Sequence, residues 1–352
     1  MTNFFNKGNR MKDIISVLKK IVPELIELTE RRYTIMQHVS HSQPIGRRSL
    51  SNSLRLGERI VRSELEFLKI QGLLEGDSTG VKLTGEGEII VSRLSEFVKN
   101  LRGLNDLENK LEKCLGLKQV ILVPGDSDED ELVKKELGRS AARYLFDKMG
   151  EGNTIAVTGG STLLEVANAI SYSGSPQNVL VVPSRGGTGR DVEIQANTIA
   201  AKIAKKLKGS YRFLHVPDNL GEEAMKSLGR DPGIKDILKT IKSANILIHG
   251  IGNAEELSVS RGDTADETTN LMKLGAVGEA FGHYFAKNGK IVKTLPNLGI
   301  RLDDLKNIDY VVGVAGGRKK AEAILAVVLN GYETCLIADE AAGRVVFEQM
   351  NI

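Results

Sequence analysis

The chain has 352 residues, 41% hydrophobic and 26% charged, with a formal net charge of +3; this length exceeds one ordinary domain, and this balance excludes a disordered chain. Its two cysteines, Cys114 and Cys335, lie far apart in apolar periodic segments, which excludes a disulfide framework and a cysteine zinc cluster. No run approaches the roughly 18 apolar residues of a membrane helix, and Met1 to Arg10 lacks the apolar stretch of a signal peptide, so the expectation is a cytoplasmic protein with no membrane partner.

From Leu28, apolar spacing through Ile35, Met36 and Val39 predicts a first helix, stopped by His41-Ser42-Gln43-Pro44. Ile45 to Leu54 reads as a short second helix, Leu56-Gly57 as a turn, and Glu58 to about Gln71 as a third helix. Helix, short helix, glycine turn, longer helix is the helix-turn-helix order. On the third helix Ile60, Val61, Leu65 and Leu68 supply the buried side, leaving Arg59, Arg62, Ser63 and Glu66 outward where base edges are read. Arg47, Arg48 and Ser49 on the second helix are further candidates for DNA contact.

Charge supports this reading. Residues 1–105 carry 17 Lys and Arg against 12 Asp and Glu, and the remainder 31 against 33. Between Arg31 and Arg62 the seven arginines 31, 32, 47, 48, 55, 59 and 62 meet one acid, Glu58. Such a cluster suits a surface that neutralises phosphates. Glu75 to Gly80, between Leu73-Leu74 and Val81-Lys82-Leu83, reads as a β-wing, so residues 1–83 are expected to be a winged helix-turn-helix domain bound to double-stranded operator DNA. A three-helix protein-interaction module with a solvated basic face is the plainer alternative.

Residues 84–116 turn helical, with Thr84 as N-cap. Ile90, Leu94, Phe97, Leu101, Leu104, Leu107, Leu111 and Leu115 follow at steps of three or four, interrupted at Gly103. The stripe predicts a helical linker that packs against a second subunit in a homodimer or homotetramer. Packing on the chain's own following domain is the alternative.

Residues 117–352 alternate short β-branched runs with helices. The expected strands are 119–123, 154–157, 179–182, 211–216, 246–249, 310–314 and 334–338, with helical segments such as 131–149, 191–207 and 319–329. The fold class is therefore α/β, a doubly wound, mainly parallel sheet that binds ligands beyond the carboxyl ends of its strands. Four strand ends carry glycines: Gly159-Gly160-Ser161-Thr162 before a helix, Arg185-Gly186-Gly187-Thr188-Gly189-Arg190, His249-Gly250-Ile251-Gly252-Asn253, and Gly316-Gly317-Arg318-Lys319-Lys320. Singly each is an ordinary tight connection; together they predict anion cradles for a ligand with a phosphate at each end. The dinucleotide pattern G-x-G-x-x-G and a Walker loop are both missing.

These passages resemble the SorC family of sugar-responsive regulators. The resemblance is carried by Pro44-Ile-Gly-Arg-Arg-Ser-Leu50, Glu66-Phe-Leu-Lys69, Val157-Thr-Gly-Gly160, Arg185-Gly-Gly187, Gln195-Ala-Asn-Thr-Ile199, Gly275-Ala-Val277, Glu279-Ala-Phe-Gly282, Ala315-Gly-Gly317 and Lys320-Ala-Glu-Ala323, which together span nearly the whole chain. It implies a repressor of a glycolytic operon, released from its operator when fructose-1,6-bisphosphate or a related sugar phosphate fills the second domain. It also implies that Ser161, Thr162, Arg185, Gln195, Arg261, Glu279 and Lys320 hold the effector, beside Gly159, Gly160, Gly186 and Gly187. Arg185, Arg261 and Lys320 would neutralise phosphate, while Glu279 would accept hydrogen bonds from sugar hydroxyls.

The rival reading is a sugar-phosphate isomerase or deaminase with an accessory basic domain, since the second domain is similar to such enzymes. That chemistry needs an acid–base pair, for which His215, His249, His283 on a helix, Asp218, Asp339 and Glu340 are the candidates. It leaves the basic first domain without a purpose. The expectation is a regulator with no catalytic residue, no metal and no cofactor beyond its effector.

Overall fold

In the computed structural model, which describes residues 14–77, 79–171, 174, 178–187, 191–217 and 221–350, the chain divides into two units, Met1–Asn105 and Asp106–Ile352. Met1 to Arg10, Ser78, Thr188 to Arg190 and Asp218, all singled out above, lie outside the described residues.

The first unit is built from helices α1 (14–21), α2 (Pro23–Ser42), α3 (Arg47–Leu54) and α4 (Glu58–Ile70), the strands β1 (Leu74–Asp77) and β2 (Gly80–Leu83), and α5 (Gly85–Leu101). Pro23 opens α2 at its first turn, where a missing N–H costs nothing. Ile35, Met36 and Val39 of α2, Leu50 of α3, Val61, Leu65 and Leu68 of α4, and Leu74, Val81 and Leu83 of the hairpin close into one core. The hairpin pairs Leu74 with Leu83 and Asp77 with Gly80. Thr84 caps α5 by accepting from the Gly87 amide at 3.1 Å.

Three sequence expectations for this unit change. Ile45, expected on the second helix, instead exchanges both backbone hydrogen bonds with Val81, at 3.0 and 3.1 Å, adding a one-residue third strand to the wing. Ile60, expected in the core, is 42% exposed, and the buried position on α4 goes to Glu64. Arg31 and Arg32 are not phosphate-facing: both pair with Glu64, at 3.1 and 2.8 Å, and Arg32 lies over the Phe67 ring at 3.6 Å. A buried carboxylate needs such partners, and the two arginines are committed to it.

The leucine stripe of residues 84–116 is not one seam. A break at Arg102-Gly103, with Gly103 at φ +69°, separates α5 from α6 (Leu104–Leu115). In α6, Leu107 and Leu111 are buried within the chain itself, while Glu108 and Glu112 accept the amides of Leu122 and Val120. The edge strand that carries those amides thus gains side-chain partners in place of a neighbouring strand.

The second unit continues as β3 (Gln119–Val123), α7 (Glu131–Lys148), β4 (Thr154–Val157), α8 (Ser161–Ala169), β5 (Leu180–Pro183), α9 (Ala196–Leu207), β6 (Ser210–Tyr211), α10 (Glu222–Leu228), α11 (Pro232–Lys242) and β7 (Ile246–Gly250). An insertion follows: β8 (Gly252–Asn253), α12 (Ala254–Arg261), α13 (Ala265–Lys273), β9 (Ala276–Ala280), β10 (His283–Ala286), β11 (Ile291–Thr294) and α14 (Leu302–Leu305). The unit closes with β12 (Tyr310–Val314), α15 (Ala321–Val328), β13 (Cys335–Asp339) and α16 (Glu340–Met350).

Seven strands form one sheet in the order β3-β13-β12-β7-β4-β5-β6, every pairing parallel. Strands buried on both faces read as continuous apolar runs, as in Ile246-Leu247-Ile248, where no side chain is exposed. β4 connects outward to β5 and β7 in the opposite direction to β12, so the sheet's switch point lies between β4 and β7. There the diverging connections leave a crevice.

The sequence missed the second sheet, antiparallel β11-β10-β9-β8. His283, expected on a helix, lies on β10. The strand expected at 211–216 ends at Tyr211; beyond it the Asn197 side chain exchanges both of its hydrogen bonds with the Leu214 backbone at 3.1 Å, replacing a ladder partner. Gln195, expected within a helix, is extended and stands just before α9.

Candidate ligand cavity and nucleic-acid surface

A cavity of about 350 Å³ opens at the switch point. Its floor is the β4–α8 turn. Thr158 ties that turn to β7, its hydroxyl accepting from the Gly250 amide at 3.1 Å. A side chain at Gly159 would meet the Ile194 carbonyl at 2.6 Å, and Gly160 sits at φ +121°. No side chain caps α8, so the first-turn amides at Ser161 and Thr162 have no intrahelical acceptor and present positive partial charge.

Ser161, Arg185 and Lys320 line this one cavity, together with Gly159, Gly160, Thr162, Gly186, Gln195, Arg261 and Glu279. Gly187 does not line it. A Cβ there would come within 2.8 Å of the Gln195 side-chain oxygen, so Gly187 leaves room for Gln195. The third glycine turn contributes Gly250, Ile251 and Gly252.

The cations are held differently. Arg261 ends α12 and reaches Oε1 of Glu279 at 2.9 Å while donating to the Tyr284 hydroxyl at 2.7 Å. Arg185 reaches the same oxygen at 3.4 Å, and the Gly282 amide donates to it at 2.8 Å. Burial pushes the Glu279 carboxyl up, but Arg261, Arg185 and that amide outweigh it and hold the group below the ordinary carboxylate value. Lys320 has no ion pair among the described residues.

The fourth glycine turn is less of a cradle than its sequence suggested. Gly316 and Gly317 are needed against acids: a Cβ on either would meet Asp339 or Asp128 within 2.6 Å. Arg318 pairs with Asp126 at 3.6 Å, leaving Lys320 as this turn's cation in the cavity. Asp339, a candidate catalytic acid, accepts from the Ser127 hydroxyl and amide and from the Gly317 amide at 2.6–2.9 Å. Glu340 is likewise held by Arg344 at 2.8 Å, and His283 bonds the Thr294 hydroxyl at 3.0 Å.

Sequence reasoning did not single out the apolar wall formed by Ile194, Leu257 and Phe281, nor Asp191 and Ser260. Phe281 sits at φ +57° in the β9–β10 turn, and nothing local marks it. Behind it His249 is fully buried, ring centroids 4.1 Å apart, and faces buried Glu333 at 3.7 Å. Burial pushes the His249 imidazole down to about 4 and the Glu333 carboxyl up to about 8, so both are neutral at pH 7.

In the first unit, Arg47, Arg48, Ser49, Arg59, Arg62 and Ser63 are all exposed. Arg47 and Arg48 approach Glu58 loosely, at 3.7 and 3.8 Å, and Arg62 pairs with Glu66 one turn on at 2.8 Å. Exposed pairs of this kind exchange readily for a phosphate. No cluster of potential metal ligands occurs, and no helix is long and apolar enough to cross a membrane, among the described residues.

Residues 28–98 match the family described as the CggR N-terminal DNA binding domain, and residues 99–348 match a sugar-binding domain family. The chain is 43% identical over 342 residues to the central glycolytic genes regulator of Priestia megaterium, covering 97% of this chain and 100% of that one. Its namesake in Bacillus subtilis is 41% identical over 334 residues, covering 95% and 98%. A solved structure from Enterococcus faecalis assigned to the SorC family of transcriptional regulators is 39% identical, with a TM-score of 0.63 over 68% of this chain and 98% of that one. The full-length sorbitol operon regulator SorC of Klebsiella pneumoniae shares the fold, with a TM-score of 0.66 at 17% identity over 92% and 98%.

A winged helix-turn-helix head followed by a sugar-binding α/β domain defines a DNA-binding transcriptional regulator rather than an enzyme. Both halves match along the same chain and in the same order. The protein belongs to the SorC family, in the branch of the central glycolytic genes regulators.

Proposed function

We propose that this chain is a cytoplasmic repressor of a glycolytic operon whose hold on operator DNA is relaxed by fructose-1,6-bisphosphate or a related sugar phosphate. The supporting observation is the convergence of Arg185, Arg261, Lys320 and the free first turn of α8 on one cavity at the sheet's switch point. One phosphate is received by the α8 amides, the Ser161 and Thr162 hydroxyls and Lys320. The other takes Arg185 and Arg261. Glu279 then accepts from sugar hydroxyls, and Gln195 adds a polar contact.

The arrangement discriminates by charge balance. Without ligand, Glu279 already neutralises part of the guanidinium charge, so one phosphate gains less than two. A ligand that reaches both ends exchanges the internal ion pair for charge-assisted bonds at each phosphate.

Arg47, Arg48, Ser49, Arg59, Arg62 and Ser63 form the DNA surface in this reading, with domain limits at 1–83, 84–116 and 117–352. The regulator acts as a homodimer or homotetramer, because half-sites one helical turn apart need two recognition helices. Release from DNA requires that the effector favour one arrangement of the assembly over another.

The deciding experiment is thermal melting and operator binding with fructose-1,6-bisphosphate, fructose 6-phosphate and inorganic phosphate. The bisphosphate is expected to raise the melting temperature most and to weaken operator binding. Equal shifts from all three would overturn the assignment.

A further inference from the structure

His249 and Glu333 do not line the effector cavity, yet they stand directly behind it. His249, near the end of β7, packs its ring against Gly313 of β12, where a Cβ would lie 3.5 Å away, and against Phe281, which lines the cavity. Its Nδ1 lies 3.2 Å from the carbonyl of Gly250, a second lining residue. A carbonyl only accepts, so Nδ1 carries the ring hydrogen and Nε2 keeps a bare lone pair. Nε2 faces Glu333 at 3.7 Å; both side chains are buried, and neither Nε2 nor Glu333 Oε2 has a hydrogen-bond partner. Two acceptors facing each other away from water are unfavourable unless a proton lies between them. The arrangement is therefore satisfied only when Glu333 Oε2 carries a hydrogen to offer the ring.

We propose that this buried proton regulates the effector cavity: while the His249–Glu333 pair holds it the cavity accepts an anionic sugar phosphate, and its loss in mild alkali weakens binding. The inference rests on the effector reading above and adds its control. Once the proton leaves, the pair bears one net negative charge behind the Phe281 wall, whichever side chain carries it. A ligand phosphorylated at each end brings further negative charge into the cavity, and like charges repel strongly in a poorly hydrated interior. By reciprocity, a ligand that binds less well to the ionised pair must draw the proton back as it binds. Burial places the Glu333 titration at about 8. Titratable groups on the neighbouring elements keep their charge there. On β9, Glu279 is held below the ordinary carboxylate value, with Arg261 and Arg185 beside it. Burial pushes the Tyr284 hydroxyl of β10 and the Cys335 thiol of β13 up, and the His283 ring of β10 down.

Calorimetric titration of the full chain with fructose-1,6-bisphosphate between about pH 7 and pH 9 tests this, since the ligand's own phosphates titrate near pH 6. Repeating it in two buffers of different ionisation enthalpy counts the protons taken up on binding, and melting curves at each pH confirm a folded chain. The parent is expected to lose about three- to tenfold in affinity across the range, with proton uptake near pH 8. Glu333→Gln keeps a hydrogen to offer Nε2 and cannot ionise, so it should hold one affinity throughout and take up no proton. A purely structural role for Glu333 would shift affinity equally at every pH, without proton uptake. A parent profile that stays flat, or a Glu333→Gln variant with the parent's slope and uptake, overturns the proposal. Absence of binding by the parent at pH 7 is a separate failure, which overturns the effector reading and this inference with it.

Discussion

Arg261 and Glu279 form a buried ion pair at 2.9 Å, and the oxygen they share also receives Arg185 at 3.4 Å. Arg261 ends α12, Arg185 follows β5, and the carboxylate stands on β9, so the Arg185 contact ties the inserted antiparallel sheet to the parallel one across the cavity. A charge centre of this kind is costly to break and easily exchanged for a stronger anion.

Glu279→Gln should therefore destabilise the ligand-free protein by roughly 3 kcal/mol, since two largely buried guanidiniums lose their carboxylate. The Glu279 carboxyl is held below its unfolded value, so its stabilisation is present above about pH 4.3 and is lost as the pH falls through the lower folded value. The difference between parent and variant in urea unfolding should accordingly shrink in acid. A bisphosphate should raise the variant's melting temperature more than the parent's.

Gly159→Ala places a Cβ 2.6 Å from the Ile194 carbonyl, which is backbone and also accepts from the Gly160 amide. The β4–α8 turn must shift, at a cost of about 1–3 kcal/mol. Calorimetry should show effector binding lost or weakened at least about tenfold. Gly187→Ala, where the obstacle is the flexible end of Gln195, should be milder in both measurements.

Glu333 and His249 set opposite pH limits. The Glu333 carboxyl, pushed up to about 8 by burial, lends stability that is complete below the unfolded value and declines as the pH rises through 8. The His249 imidazole, pushed down to about 4, lends stability present above its unfolded value and lost as the pH falls through 4. Glu333→Gln keeps the site neutral, so it should exceed the parent's stability by on the order of 4 kcal/mol at pH 8. The advantage should vanish at pH 4 in chemical denaturation.

Two arginines thirty residues apart should separate stability from binding. Arg62→Ala, on the exposed face of α4, should lower operator affinity and reduce the salt slope by about 1 with unchanged melting. Arg32→Ala, which loses Glu64 and the Phe67 ring, should lower the first unit's stability by about 1–3 kcal/mol. Fluorescence anisotropy at several salt concentrations, beside thermal melts, distinguishes the two.

Most strands of the parallel sheet were legible because burial on both faces turns each into a short unbroken apolar run. The turns beyond them were legible as glycines followed by hydroxyls or cations. The antiparallel insertion was not. β9 reads Ala-Val-Gly-Glu-Ala because Gly278 must clear the Ala323 backbone, 2.9 Å from where a Cβ would sit, and because Glu279 is buried for its arginines. Both needs erase the alternation by which a half-buried strand is recognised. Family resemblance located Glu279 and Arg261, which no local pattern marks, and chose Lys320 among the three cations of its glycine turn.

What residues 1–352 settle on their own is local: periods of 3.6 and 2, caps, and glycines where the backbone must come close. Which charges remain available is a matter of through-space neighbours. Arg31, Arg32 and Arg318 look in the chain like their neighbours Arg47, Arg59 and Lys320, yet Glu64 and Asp126 claim them. Ion pairing depends on distances of a few ångströms between residues far apart in the chain, and only the packed tertiary structure sets those distances.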